Sequence, residues 1–257
     1  MKKTLIALAV AASAAVSGSA MAWTPNGTGG SVELGGTLTP AEKVTPWEVK
    51  TGAAVTGLDA QIQKGQKEVS ISSLKSIEIL GIRTKEKAAF VGVKGIAPQI
   101  DYGAAIDATK FSNGETELTL VVKDNASNVI GELKSSLFAQ AFSSEKAGES
   151  EAKKFFVFAD AEGSAYYGGL GQNADSLSKE DLAAAYMPDA EAHWVNQGGR
   201  MVDPENSYFG DPGKTYNSYY FSVIKPNQGI KISLSKPVSG DAPIQWKASL
   251  PVTVTYM

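Results

Sequence analysis

"IQWKASLPVTVTYM", Ile244 to Met257, alternates along its length. Ile244, Trp246, Ala248, Leu250, Val252, Val254 and Tyr256 take the even positions, while Gln, Lys, Ser, Pro and Thr fill the odd ones up to Thr255. A period of two places the even side chains on one face of a β-strand. So long a one-sided strand needs a buried inner face and a partner on each edge, because unpaired backbone N–H and C=O groups are costly away from water. As the last strand of the sequence it is expected to leave one edge open, which is an aggregation hazard unless another segment covers it.

The same period recurs upstream. "EVSISSLKSIEILGI" (Glu68 to Ile82), "TELTLVVKD" (Thr116 to Asp124), "NVIGELKSSL" (Asn128 to Leu137), "KKFFVFAD" (Lys153 to Asp160) and "GIKISLSKPV" (Gly229 to Val238) read as strands punctuated by Gly, Asn, Pro and Ser. Short strands at this spacing predict a β-sandwich. One helix interrupts the pattern, in "SLSKEDLAAAYMP": Ser178 is the expected N-cap, Asp181 completes a weak capping box, Leu177 and Leu182 have staple spacing, and Pro188 is expected to stop the helix. It falls in a region of about 160 to 221, rich in Gly, Tyr and Asn, which reads as an insertion between sandwich strands.

The first residues, "MKKTLIALAVAASAAVSGSAMA", combine two lysines, a short alanine-rich apolar run and a small-x-small ending at Ala20-Met21-Ala22. This is the pattern of a cleaved export signal over 1–22, giving a mature start at Trp23. Nothing later reaches the roughly 18 apolar residues of a membrane-spanning helix. The formal charge is −3 and becomes more negative once Lys2 and Lys3 are removed, so a nucleic-acid partner, which needs a basic surface, is not expected. The chain has no cysteine, which excludes disulfides and cysteine-rich metal sites.

Catalytic patterns fail one by one. His193 is the single histidine, so a histidine-rich metal site and a Cys-His pair are both excluded. A serine triad through His193 stays open, but no G-x-S-x-G stretch accompanies it. "GDPGKT" lacks the first glycine of a phosphate loop, since Tyr208 stands at that position. "DNASN" lacks calcium-loop spacing and reads as a hairpin turn. No enzymatic activity, cofactor or metal is expected.

A second one-sided segment supplies what the open edge needs. In "GGSVELGGTLTP" (Gly29 to Pro40), Val32, Leu34 and Leu38 share one parity. Strand addition to a sheet edge satisfies backbone groups while alternate side chains fill pockets, so this segment is read as pairing with the next copy of the same protein. The competing reading is an edge strand folded back on its own domain.

The leader "MKKTLIALAVAASA", "GGSVELGG" after the mature start, "PWEVKTG" around Trp47, "GIRTKEKAAF", "YYGGL", "LSKEDL" and the terminal "QWKASLPVTVTYM" together resemble the K88ab-like fimbrial subunits of enteric bacteria, which are assembled by the chaperone/usher pathway. The stretch from about Glu145 to Phe221 departs most. The resemblance implies an all-β, incomplete immunoglobulin-like sandwich over 39–257, lacking its final strand and completed by donor-strand exchange, with a loop and helix insertion. Residues 23–38 would be the donor strand, with Val32, Leu34 and Leu38 as donor side chains and Gly36 as the small residue in register. Leu250, Val252, Val254 and Tyr256 would form the edge grasped first by a periplasmic chaperone and then by the neighbouring subunit, with an outer-membrane usher passing the chain to a fimbrium on the cell surface.

Adhesive members of the resembled family imply binding of host glycoconjugates. For that role the aromatic insertion offers Trp194, Tyr208 and Tyr216, whose neighbours are turn-formers, although "YYFSVI" (Tyr219 to Ile224) reads equally as a core strand. Two other classes stay open: a secreted carbohydrate-active enzyme, which needs two convergent carboxylates, and a free carbohydrate-binding module, which needs its N-terminal strand packed in its own sheet.

Overall fold

Backbone pairing in the unit Val44–Met257 runs through one long strand. The computed structural model describes Pro25, Asn26, Thr28, Val32, residues 34–39 and residues 44–257; the expected signal segment 1–22 and Trp23 lie outside the described residues. The strands are β1 (Trp47–Thr51), β2 (Glu68–Ser72), β3 (Ile77–Thr84), β4 (Phe90–Val91), β5 (Pro98–Asp101), β6 (Glu115–Lys123), β7 (Val129–Ala147), β8 (Lys153–Phe156), β9 (Arg200–Met201), β10 (Lys214–Ile224), β11 (Gly229–Leu234), β12 (Lys247–Ala248) and β13 (Thr253–Tyr256). Two single-turn helices, α1 (Ala183–Tyr186) and α2 (Pro188–Glu191), lie between β8 and β9.

β7 changes partners half way along. Its first half pairs with β6 and β11; its second half pairs with β10 and β8. From these pairs the sheet extends through β11 to β2, through β10 to β3 and β1, and through β6 to β12, while β13 pairs with β5 in a separate two-stranded sheet. The fold is an all-β sandwich, as the period-two runs predict.

The run 68–82 is two strands rather than one. β2 goes to β11 and β3 to β1 and β10, and between them the Ser73 hydroxyl bridges to the backbone of Lys75 and turns the chain. The "DNASN" segment is the β6–β7 hairpin turn: Asp124 accepts from the Asn128 N–H at 2.9 Å, and Ser127 takes a positive φ of 67°.

Sequence periodicity misses the second half of β7, and of β10 the sequence offers only "YYFSVI" (Tyr219 to Ile224) as one of two readings, because both strands are buried on both faces. Tyr216, Tyr220 and Ile224 of β10 join one core with Leu80, Ile82 and Leu137. Tyr219, Phe221 and Val223, on the opposite parity, join a second core with Phe138, Phe142 and Met187. A strand apolar on both faces shows no alternation. The strand-poor insertion therefore ends before Lys214, and residues 214–221 of the expected insertion are central sheet.

The helical segment is what covers that outer face, and it differs from expectation. Ser178 forms a local turn with Glu180 instead of capping a helix. Leu182 stands at the N-cap of α1, and the Asp181 carboxylate accepts from the Ala183 N–H at 3.2 Å. Pro188 does not end the helical stretch but opens α2 at a position where its missing N–H costs nothing. Met187, between the two turns, packs onto β3 at Gly81, where an added Cβ would meet the methionine methyl carbon at 2.7 Å. The Asp181 carboxylate also accepts from the Tyr219 hydroxyl at 3.0 Å, tying the segment to β10. Burial, helped by that carboxylate, holds the Tyr219 hydroxyl far above the usual tyrosine range.

Asn217, fully buried in β10, anchors the loop before β9. Its amide donates to Thr84 Oγ1, Ala88 O and His193 O at 3.1, 3.0 and 3.2 Å, and its oxygen accepts from the Val195 N–H at 3.1 Å. Asn217→Ala leaves buried polar groups without partners. We expect a loss of about 2–3 kcal/mol and a fall of roughly 5–10 °C in Tm, to be read by thermal unfolding of the purified subunit; an unchanged Tm would contradict this anchoring role.

Candidate functional site

An apolar-lined groove of about 1130 Å³ runs along the C-terminal strand. Ile77 and Ile79 of β3, Leu118 and Leu120 of β6, and Ile230 and Ile232 of β11 line its interior. Residues 51–62 form one wall and residues 240–252 another. The first wall, "TGAAVTGLDAQI", contains no strand after Thr51 and shows no alternation, which is why sequence reasoning passed over it. Its runs of Gly and Ala beside isolated Val55, Leu58 and Ile62 were the one available sign.

The second wall carries the alternation of the opening sequence. From Trp246 to Met257 the even residues are half-buried and the odd ones exposed without a break, including the stretch around Pro251 where neither β12 nor β13 extends. Met257 exchanges both backbone hydrogen bonds with Ala97, at 2.9 and 3.0 Å. Since N–H and C=O of successive residues point to opposite edges, Thr255 and Thr253 also face β5, in agreement with their register. The backbone groups of Val254, Val252, Leu250 and Ala248 then face the opposite edge. Among the described residues no strand pairs there: β12 pairs with β6 alone and β13 with β5 alone. Pro251 falls on the odd parity, so its missing N–H does not interrupt the open edge.

Of the four expected edge residues, Leu250 and Val252 line the groove, while Val254 and Tyr256 pack against the main core beyond its end. Burial raises the Tyr256 hydroxyl above its ordinary range, and a hydrogen bond with Thr45 partly opposes this. The expected donor residues Val32, Leu34 and Leu38 are 86, 94 and 98% exposed. No atom lies within 4 Å of where a Cβ on Gly36 would stand. None of the described residues before Val44 belongs to a strand.

The three aromatic candidates for glycan contact part company. Tyr216 is 3% exposed and packs with Phe90 and Phe209, so it has no face to offer a sugar. Trp194 is half-buried on Phe142 and Tyr219, at 5.1 and 5.5 Å between ring centres. Tyr208 alone is exposed, at 49%, because the left-handed turn at Phe209 (φ 52°) sends the following ring into the core.

The remaining motifs have structural partners. His193 Nδ1 lies 2.6 Å from the Thr84 carbonyl oxygen and 3.6 Å from Glu48, which makes it a tether between loop and sheet. In "GDPGKT" the Asp211 carboxylate accepts from the Gly213 N–H at 2.8 Å, and Lys214 pairs with Glu145 at 2.7 Å, so neither donor is presented to a phosphate. Among the described residues no three His, Asp or Glu converge on a common point, and no helix is long and apolar enough to cross a membrane.

A family described as "Fimbrial, major and minor subunit" matches residues 1–257. The chain belongs to this K88-type fimbrial family. It is similar to K88 fimbrial protein AB of Escherichia coli, 31% identical over 293 aligned positions covering all of both chains, and to K88 fimbrial protein AC of the same organism, 30% identical over 291 and again end to end. The F41 fimbrial protein of Escherichia coli is 28% identical over 283 positions, likewise over the full length of both. The protein is thus a structural subunit of a cell-surface fimbria, assembled with other fimbrial subunits, and not an enzyme.

In this fimbrial subunit the aromatic residues of the middle region divide into core and surface, with measurable consequences. Tyr216→Ala is expected to cost about 3–5 kcal/mol by opening a cavity beside Phe90 and Phe209, whereas Tyr208→Ala should stay within about 0.5 kcal/mol of the parent. Denaturant unfolding of the two variants checks this; equal stability would place Tyr216 outside the core.

Proposed function

We propose that this fimbrial subunit polymerises by donor-strand complementation, the donor strand at 23–38 of one copy filling the groove of the next. The observation that carries the reading is the coincidence of an apolar groove with an unpaired sheet edge along one strand, Ala248 to Val254. An added strand supplies both missing components at once, backbone partners for the edge and side chains for the groove. Val32, Leu34 and Leu38 are exposed in the single chain, and each contributes about 1.5–3 kcal/mol when buried.

Before assembly the same groove would stay open, an exposed apolar surface with a free sheet edge. On this reading a periplasmic chaperone covers it until an outer-membrane usher exchanges the chaperone for the next subunit, and the segment 1–22 is the signal that brings the chain there. Contact with host glycoconjugates would fall to exposed loop residues such as Tyr208, not to Tyr216.

Deleting residues 23–38, or combining Val32→Asp with Leu34→Asp, should abolish fibres while chaperone-bound monomer persists, since the groove itself is unchanged. Electron microscopy of cells and chaperone pull-downs from periplasm read the two halves of this expectation. Normal fibres from the deletion variant would overturn the proposal.

A further inference from the structure

In a fibre joined by donated strands, tension crosses each subunit between two places. One is Val44, where the donor segment is joined to the sandwich; the other is the C-terminal strand, which the neighbouring copy's donor strand grips. Whichever way the donated strand runs, the pull on a subunit acts between these two. The route between them through the sheet is long, from β1 to β3, β10, β7, β6 and finally β12, one ladder after another. Links in series add their compliance, so a shorter route beside this one takes most of the load.

The fold contains such a route. Val44 is exposed, but the residues that follow are each tied down before or at the first residue of β1. The Thr45 and Tyr256 hydroxyls share a hydrogen bond, so the first tie goes straight to the C-terminal strand. The Pro46 carbonyl oxygen accepts from the Lys85 N–H at 2.8 Å, just past the end of β3. The Trp47 indole N–H donates to the Ile96 carbonyl oxygen at 2.6 Å, and the next residue, Ala97, exchanges both backbone hydrogen bonds with Met257. The first and last of these ties therefore end on neighbouring residues of the strand that carries the open edge. The Trp47 ring is also buried against Phe90 and Phe209, each 5.1 Å away between ring centres, so it cannot follow the chain outward without emptying a place in the core.

We infer that Thr45, Trp47 and Tyr256 form a load-bearing joint, which passes tension directly from the root of the donor segment to the acceptor strand and spares the rest of the sandwich. A subunit built in this way has its two mechanical attachments bonded to each other. Pulling on the fibre then loads a few side-chain contacts around Trp47 before it loads the ladders of the sheet.

The inference rests on the donor-strand reading, and the experiment keeps the two apart. Fibres of the full chain carrying Thr45→Val, Tyr256→Phe, or both are held singly at constant tension, and the lifetime before a subunit gives way is measured. Either single variant should shorten that lifetime about two- to ten-fold, the worth of one hydrogen bond. The double variant should shorten it no further, since both changes remove the same bond. Thr45→Ser, which keeps the hydroxyl, should restore the parent lifetime. Asn217→Ala serves as the comparison: it removes several buried hydrogen bonds in β10, on the long route, and should leave the lifetime under tension near that of the parent. A lifetime for Asn217→Ala as short as that for Thr45→Val would spread the load over the sheet and overturn the joint, as would unchanged lifetimes for Thr45→Val and Tyr256→Phe. Failure of either variant to form fibres would overturn it too, by giving the contact a role in assembly instead. Wild-type assembly by the chain carrying Val32→Asp with Leu34→Asp defeats the donor-strand reading itself, whereas lost assembly there beside unchanged lifetimes in the joint variants defeats only the joint.

Discussion

Every backbone N–H and C=O taken out of water must find a partner, and the C-terminal strand meets this requirement on one edge only. Its odd residues pair with β5 and β6, while its even residues direct their backbone groups past the groove and their side chains toward it. Both deficits lie on one strand. An unpaired edge over a filled core, or an apolar cleft between fully paired strands, would each call for a smaller remedy. Here a single extended segment answers both, which is why the geometry favours a strand as occupant over a compact ligand.

The rest of the sandwich is built to keep that edge rigid although it is open. β7 runs through both halves of the sheet and is paired on both edges at residues 131–134 and again at 142–145. β10, beside it, is buried on one face by the main core and on the other by the segment carrying α1 and α2. The helical segment thus does the work of a second layer over the far half of the sheet. The groove lies toward the other end, where Ile71, Val122, Leu133, Ile230 and Ile232 form a smaller core around it. Stability and assembly are in this way assigned to different regions of one molecule, and the ion pairs of Lys153 and Lys214 with Glu145 reinforce the stable one.

Residues with functional promise on paper find mostly structural employment. Lys214 of "GDPGKT" pairs with a nearly buried carboxylate, His193 bonds a backbone carbonyl, and Tyr216 fills space between Phe90 and Phe209. The physical reason is common to all three: each flanks or packs on the buried strand β10, where polar groups must be satisfied internally.

The sequence by itself determined the fold class and the one-sidedness of the last strand, because a strand with one buried and one wet face writes its geometry as a period of two. It also marked Val32, Leu34 and Leu38, whose alternation needs no context to be seen. What only the tertiary structure decided was everything buried on both sides or on neither. The first half of β10 and the end of β7 were hidden, and Tyr219 to Ile224 stayed one of two readings, because two apolar faces cancel the alternation; the wall at 51–62 was hidden because small residues without pairing leave no period. Ser178 and Pro188 carried helix signals of the right kind, yet their roles shifted by a turn, because packing of Met187 onto Gly81 and of Asp181 onto Tyr219 outweighs the modest energy of a cap. The groove belongs to the same group, since its lining comes from β3, β6, β11 and two distant walls, residues that a linear pattern cannot bring together.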